Sequence, residues 1–136
     1  MRLRKVLFGA FSGAFLFFIL QGVRLWLAGV GASFVCNQNG AFSVVIPSSL
    51  LFFVALGALF LFGVQWWQEE SFIFSSVWFV LFISGISNLT ERLLYGCVTD
   101  YIYLWSLPVF NLADVLLTVG AAGILWNGFL GKKKTD

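Results

Sequence analysis

Asp100 and Asp114 are the residues of this chain best equipped for chemistry. Asp100 ends a GxVxD run formed with Gly96 and Val98, and Asp114 closes the FNLAD run of Phe110, Asn111, Leu112, Ala113 and Asp114. Both lie in residues 85–117, which hold most of the polar chemistry of an otherwise hydrocarbon-rich sequence. The chain has no histidine, which removes imidazole-assisted serine or cysteine mechanisms and most zinc sites. Carboxylates are the strong acid/base groups that remain, and no metal or cofactor is called for. Two carboxylates close together in a partly dehydrated site cannot both ionise cheaply, so they share a proton. That state suits peptide hydrolysis: the ionised member activates water and the protonated member donates to the scissile carbonyl.

The rest of the chain must be the scaffold that brings these acids together. Of its 136 residues, 60% are hydrophobic and 10% charged, with a mean hydropathy of +0.96. Those values lie outside the range of soluble globular domains and mark an integral membrane protein. A formal net charge of +2, with basic residues gathered at the two ends, gives no stripe for nucleic acid.

A helix rising 1.5 Å per residue needs about 20 apolar residues to cross a hydrocarbon core of roughly 30 Å. Four runs qualify: residues 3–30, 47–66, 72–90 and 112–130. The expected fold is an all-α membrane protein, one domain of four transmembrane helices, with outer connections at 31–46 and 91–110. Arg2, Arg4 and Lys5 precede the first span and Lys132, Lys133 and Lys134 follow the fourth. Cytoplasmic flanks retain such residues, so both termini are expected in the cytoplasm, as four spans require. The short turn at 67–71 then also faces inward, although Glu69 and Glu70 give it no basic support.

A cleavable signal peptide at the start is disfavoured, because the apolar run is too long and its loss would split the basic ends across the membrane. LAGV at Leu27 to Val30 has valine where a lipid-modified cysteine would be needed. Gly9 and Gly13 form a GxxxG pair, read as close packing inside the protein. Trp66, Trp67, Trp26, Tyr101, Tyr103 and Trp105 sort as interface anchors, and the apolar segment from Tyr101 to Phe110 is expected along the headgroup layer. In the first outer connection, Asn37, Gln38, Asn39 and Gly40 form a turn between SFVC and AFSVVI, a small β-hairpin or cradle on the membrane surface.

Each polar residue also has a plain structural reading. Asn111 can cap the fourth helix, with Asp114 three residues on completing a capping arrangement. Asp100 can be a turn residue, and Arg92 can snorkel from the third span, paired with Glu91. The Asn88 to Thr90 sequon is a chance match. The combination carries more weight: topology places Asp100 after span three and Asp114 at the head of span four, at similar depth, and ionisable groups near hydrocarbon tend to mark function. Asp114, fixed by a helix start whose dipole favours the anion, is the better base; Asp100 sits on a looser segment.

These motifs resemble signal peptidase II, the lipoprotein signal peptidase of bacteria. The resemblance runs from about Asn37 to the end of span four and rests on NQNGAFS (Asn37 to Ser43), SNLTERL (Ser87 to Leu93), YGCVTD (Tyr95 to Asp100) and PVFNLAD (Pro108 to Asp114). It implies an aspartyl endopeptidase of the bacterial cytoplasmic membrane, active at the outer face, that removes the signal peptide of a prolipoprotein before its diacylglyceryl-modified cysteine. Asp100 and Asp114 fall on the catalytic positions; Asn37, Asn88, Arg92 and Asn111 fall on substrate-positioning and supporting ones. Prolipoprotein and membrane lipid are the implied partners of a monomer. The segment from Tyr101 to Pro108 would form a flap over the site. The sequence departs from the family in lacking an acid near Arg24 in span one, where Leu20 and Gln21 stand, in Glu91 for Asp and in Ser87 for Gly. A catalytically weak or inactive binding or assembly protein is therefore the alternative. Cys36 and Cys97 both fall on the outer side, where oxidation is possible. Without geometry the favoured reading is two unpaired cysteines, and a disulfide is the alternative.

Overall fold

A computed structural model of the chain describes residues 2–39 and 47–132, with side chains at 5–39, 47 and 49–128. The element order is α1 (Arg2–Gly29), β1 (Val35–Asn37), α2 (Ser48–Gln68), α3 (Phe72–Tyr95), β2 (Val98–Asp100) and α4 (Leu112–Lys132). Proline and glycine set the boundaries. Pro47 stands at the N-cap of α2, and Gly31 and Gly96 adopt the left-handed conformation just beyond α1 and α3, each at φ 75°. Among the described residues three helices are long and apolar enough to cross a membrane: Lys5–Gly29, Ser49–Gln68 and Phe72–Tyr95. The apolar stretch of α4, Leu112–Gly128, is shorter and reaches the lower end of the roughly 17–25 residues a span needs.

Helix α3 is the hub, packing against α1, α2 and α4. It runs to Tyr95, past the expected end at 90, because its last-turn polar residues find partners inside the fold and Gly96 supplies a stop, its N–H donating to the Arg92 carbonyl at 3.0 Å. Large side chains face outward to an extent no water-soluble domain tolerates: Phe11, Phe15 and Phe18 are 78%, 70% and 71% exposed, a surface suited to lipid. The GxxxG glycines serve internal packing. A Cβ on Gly9 would stand 2.7 Å from a ring carbon of Trp66, and one on Gly13 2.7 Å from Phe79. Trp66 therefore sits between helices, its ring 4.9 Å from that of Phe79, rather than acting as an interface anchor alone.

The start of α1 lies beside the α2–α3 turn, since the Lys5 ammonium donates to the carbonyls of Trp66, Trp67 and Glu69 at the end of α2. The other end of the bundle gathers the tail of α1, β1, the last turns of α3, β2 and the first turn of α4. There β1 and β2 form a two-stranded antiparallel ribbon with Val35 opposite Asp100, Cys36 opposite Thr99 and Asn37 opposite Val98. The small sheet thus joins the first outer connection to the segment after α3. The AFSVVI half of the expected hairpin lies outside the described residues.

The cysteines correct the sequence reading. Cys36 and Cys97 form a disulfide with Cα atoms 5.5 Å apart, closing 61 positions of chain. The strand register supplies what the sequence could not: it puts the two Cβ atoms on one face within bonding reach. In the chain-entropy picture a loop of this length is stabilised by about 4 kcal/mol, an upper figure for helices already confined to a bilayer.

Candidate active site

The site forms at the ribbon end of the bundle, and each acid is positioned by local chain chemistry. The left-handed turn at Gly96 reverses the chain out of α3, and pairing with β1 straightens it, so Asp100 projects from a strand. This overturns the expectation of a turn residue on a loose segment. Asp100 is 1% exposed, among the most buried side chains of the protein, alongside Leu81, Val98 and Ser84. The Asn37 Nδ2 donates to its Oδ2 at 2.8 Å, and the buried Asn111 Nδ2 donates to its Oδ1 at 2.9 Å.

Asp114 is set by the start of α4. The Asn111 Oδ1 accepts from the Asp114 N–H at 3.0 Å, while the Asp114 Oδ2 accepts from the Asn111 N–H at 3.4 Å. That reciprocal pair is the capping arrangement expected from FNLAD, and it places the carboxylate in the first turn, where the helix dipole favours negative charge. The Asn88 Nδ2 donates to the remaining Oδ1 at 2.8 Å. Asn88 lies inside α3 with its amide engaged, which disposes of the sequon. The Tyr101 hydroxyl, one residue past β2, accepts from the Leu112 N–H at 3.2 Å and so supports the same helix start.

The functional and structural readings of Asn111 and Asp114 therefore coincide. Asn111 is the bridge: one side chain touches Asp100 with its amide nitrogen and the Asp114 backbone with its amide oxygen. Asn37, Asn88, Arg92 and Asn111 all converge on the two acids. The Arg92 Nη2 donates to the Asn39 carbonyl at 2.8 Å, and its charge faces both Asp114 and Asp100. It does not pair with Glu91, because adjacent helical residues point in different directions. Asn88 and Arg92, four apart, share the face of α3 that looks onto the acids.

Electrostatics at Asp100 are mixed, with one net direction. Burial pushes its carboxyl above the usual carboxylate range, and the Asp114 charge pushes the same way. The carboxamides of Asn37 and Asn111 and the Arg92 charge pull back without cancelling the rise. Burial likewise pushes the Tyr101 phenol up, against the Leu112 contact and with the surrounding carboxylates.

A second polar group went unrecognised in the sequence. Glu91 is 5% exposed. Its Oε2 accepts from the Thr99 N–H at 2.7 Å, its Oε1 accepts from the Gln21 Nε2 at 3.4 Å, and its Oε1 lies 3.8 Å from the Arg24 Nε. Gln21 also donates to the Ser87 Oγ at 3.0 Å. The Arg24 Nη2 reaches the Tyr95 hydroxyl at 3.2 Å, with the guanidinium 4.6 Å above that ring. Thus α1 is joined to α3 and β2 through Gln21 and Arg24, three positions apart on one face. That spacing, together with Ser84, Ser87 and Glu91 repeating along α3, was the available signal. Among the described residues no group of three or more His, Cys, Asp or Glu side chains is arranged to hold a metal.

Apolar helices with lipid-suited faces, closing at one end on two asparagine-cradled aspartates, define a multi-span membrane protein with a buried acidic site. The chain belongs to the signal peptidase II family, whose sequence pattern, described as "Signal peptidase (SPase) II", fits residues 6–130. The lipoprotein signal peptidase of Sinorhizobium fredii (strain NBRC 101917 / NGR234) is 36% identical over 107 residues, 73% of this chain and 64% of that protein. The lipoprotein signal peptidase of Brucella ovis (strain ATCC 25840 / 63/290 / NCTC 10512) is 34% identical over 106 residues, 72% of this chain and 66% of that protein. The matched part therefore spans a little under two thirds of the length of these relatives. Two bacterial membrane enzymes solved by the in meso method share the fold. One, at 2.3 Å resolution, has a TM-score of 0.82 over 94% of this chain and 91% of its own, at 17% identity. The other, at 1.9 Å, has a TM-score of 0.73 over 88% and 91%, at 18% identity.

Proposed function

We propose that this protein is an aspartyl endopeptidase of the bacterial cytoplasmic membrane that removes signal peptides from prolipoproteins, cutting before the diacylglyceryl-modified cysteine. The observation that carries the reading is the pair Asp100 and Asp114, each cradled by carboxamides and joined through Asn111. Family membership and the names of the relatives supply the substrate class. Asp114, at a helix N-terminus and facing Arg92, holds the negative charge and activates water. Asp100, more deeply buried, holds the shared proton and donates to the scissile carbonyl. Asn37, Asn88 and Asn111 can only donate through their amide nitrogens to these carboxyl groups, which fixes the oxygens without competing for the proton.

The ribbon end faces the extracytoplasmic side in this reading, and both termini lie in the cytoplasm. The disulfide supports it, since such bonds persist in oxidising compartments, as do the basic residues at the two chain ends. Between β2 and α4, Tyr103, Leu104 and Leu107 are exposed and Trp105 is 97% exposed. A segment of that character rests in the headgroup layer and borders the path by which a lipid-anchored substrate enters sideways as the partner of a monomeric enzyme. The departures from the family motifs do not favour an inactive protein, because Glu91, Gln21 and Arg24 contact one another away from the two acids and none displaces an acid.

The test is cleavage of a diacylglyceryl-modified prolipoprotein by the purified chain and by Asp100→Asn and Asp114→Asn. Each substitution should reduce cleavage to background while the protein still inserts. Wild-type cleavage by either variant removes the paired-acid assignment.

A further inference from the structure

Asn37 contributes one of the two carboxamides on Asp100, yet its hold on the site is slight. Strand β1 has three residues, and an isolated two-stranded ribbon is marginal in water. Strand β2 is independently secured. It follows directly from the capped end of α3, the Glu91 carboxylate takes its Thr99 N–H, and Asn111 holds Asp100. Among the described residues strand β1 is held by the ladder, the Asn37 contact to Asp100, the Phe34 ring beside Tyr101, the Arg92 contact to the Asn39 carbonyl and the Cys36–Cys97 bond, of which the last alone is covalent. Side chains alternate between faces along a strand. Asn37 and Asp100 are therefore diagonal neighbours on one face of the ribbon, while Cys36, opposite Thr99, shares the reverse face with Cys97. The covalent bond fastens the strand from behind the contact it protects.

We infer that the Cys36–Cys97 disulfide is a positioning element that keeps Asn37 on Asp100, so that full cleavage activity requires the oxidised protein. The inference rests on the proposed peptidase activity for its kinetic consequence and on the ribbon geometry for its structural one. Formation is a thiol–disulfide exchange: Cys36 and Cys97 lose two protons and two electrons to a protein disulfide of the extracytoplasmic compartment, which becomes a dithiol. A dithiol reductant reverses it, closing to its own disulfide as both protein thiols form. In the reduced state β1 leaves, β2 stays, and Asp100 loses a donor. A hydrogen bond to the protonated Asp100 carboxyl carries enough energy for a loss of about 2- to 10-fold.

The test compares full-length protein in detergent in three states: oxidised, reduced by dithiothreitol with both thiols verified by maleimide mass shift, and reoxidised. Cys36→Ser with Cys97→Ser provides a permanently open form, and Asn37→Ala removes the contact itself. A thioether-linked lipid on the substrate is inert to the reductant. Reduction should lower kcat/KM by about fivefold and reoxidation should restore it. In Asn37→Ala, reduction should change the rate less than twofold, whereas a purely structural bond would add its own loss to that variant. Carbodiimide labelling of Asp100, read by mass spectrometry, should rise severalfold on reduction whether or not the protein cleaves the chosen substrate. Unchanged labelling and an unchanged rate on reduction overturn the inference, as does an equal rate loss in wild type and Asn37→Ala. Increased labelling with no cleavage even when oxidised leaves the positioning intact and removes the peptidase reading.

Discussion

Replacing Asn111 separates two roles that one side chain performs. Its Oδ1 caps α4 through the Asp114 N–H at 3.0 Å, and its Nδ2 donates to the Asp100 Oδ1 at 2.9 Å. Serine ranks with asparagine as an N-cap, but its hydroxyl cannot also reach across to Asp100. Asn111→Ser should therefore keep the α4 cap and lose only the stability that the Asp100 contact supplies. Losing a hydrogen bond to the protonated Asp100 carboxyl costs about 0.5–1.5 kcal/mol, and at about 1.36 kcal/mol per tenfold kcat should fall by about 2- to 10-fold. Asn111→Ala loses the cap as well and should destabilise by a further ~1 kcal/mol, with activity no higher than that of the serine variant. The assay is initial-rate cleavage of a diacylglyceryl-modified prolipoprotein in detergent, paired with thermal unfolding of each variant. If Asn111→Ser keeps wild-type kcat, the carboxamide does not organise the acids and the bridge has no catalytic role. If Asn111→Ser unfolds as readily as Asn111→Ala, the assignment of the cap is wrong.

The raised ionisation of Asp100 has a definite sign for stability: the protonated form is favoured by the fold, so the contribution is present below the ordinary carboxylate pKa and is lost as pH rises through the folded-state value. Asp100→Asn, which cannot ionise, should gain stability relative to wild type as pH rises from about 4 towards neutrality, measured by thermal unfolding across that range; a constant difference would mean that Asp100 is not held above its ordinary pKa. Glu91→Ala strips partners from the Thr99 N–H and Arg24 together and should destabilise by about 2–4 kcal/mol, while Glu91→Gln, which still accepts from Thr99, should cost clearly less in the same unfolding measurement.

Composition and periodicity were enough to determine that this chain lives in a membrane, because a bilayer imposes one dominant condition: long uncharged apolar runs that satisfy their own backbones. Local capping chemistry was equally readable. Asn111 and Asp114 are three residues apart and meet through a single helix turn, so their pairing follows from sequence spacing. Contacts that depend on two distant segments were decided only by the tertiary structure. The Cys36–Cys97 bond required the register of β1 on β2, which no sequence spacing reports across 61 positions. The burial of Asp100 arose in the same way: a segment that reads as a loose connection becomes a buried strand once β1, Glu91 and Asn111 close around it. Glu91 looked like an exposed partner for its neighbour Arg92. Helix geometry turns adjacent side chains apart, and only the packing of α1 on α3 could show that Arg24 and Gln21 were waiting on the other side.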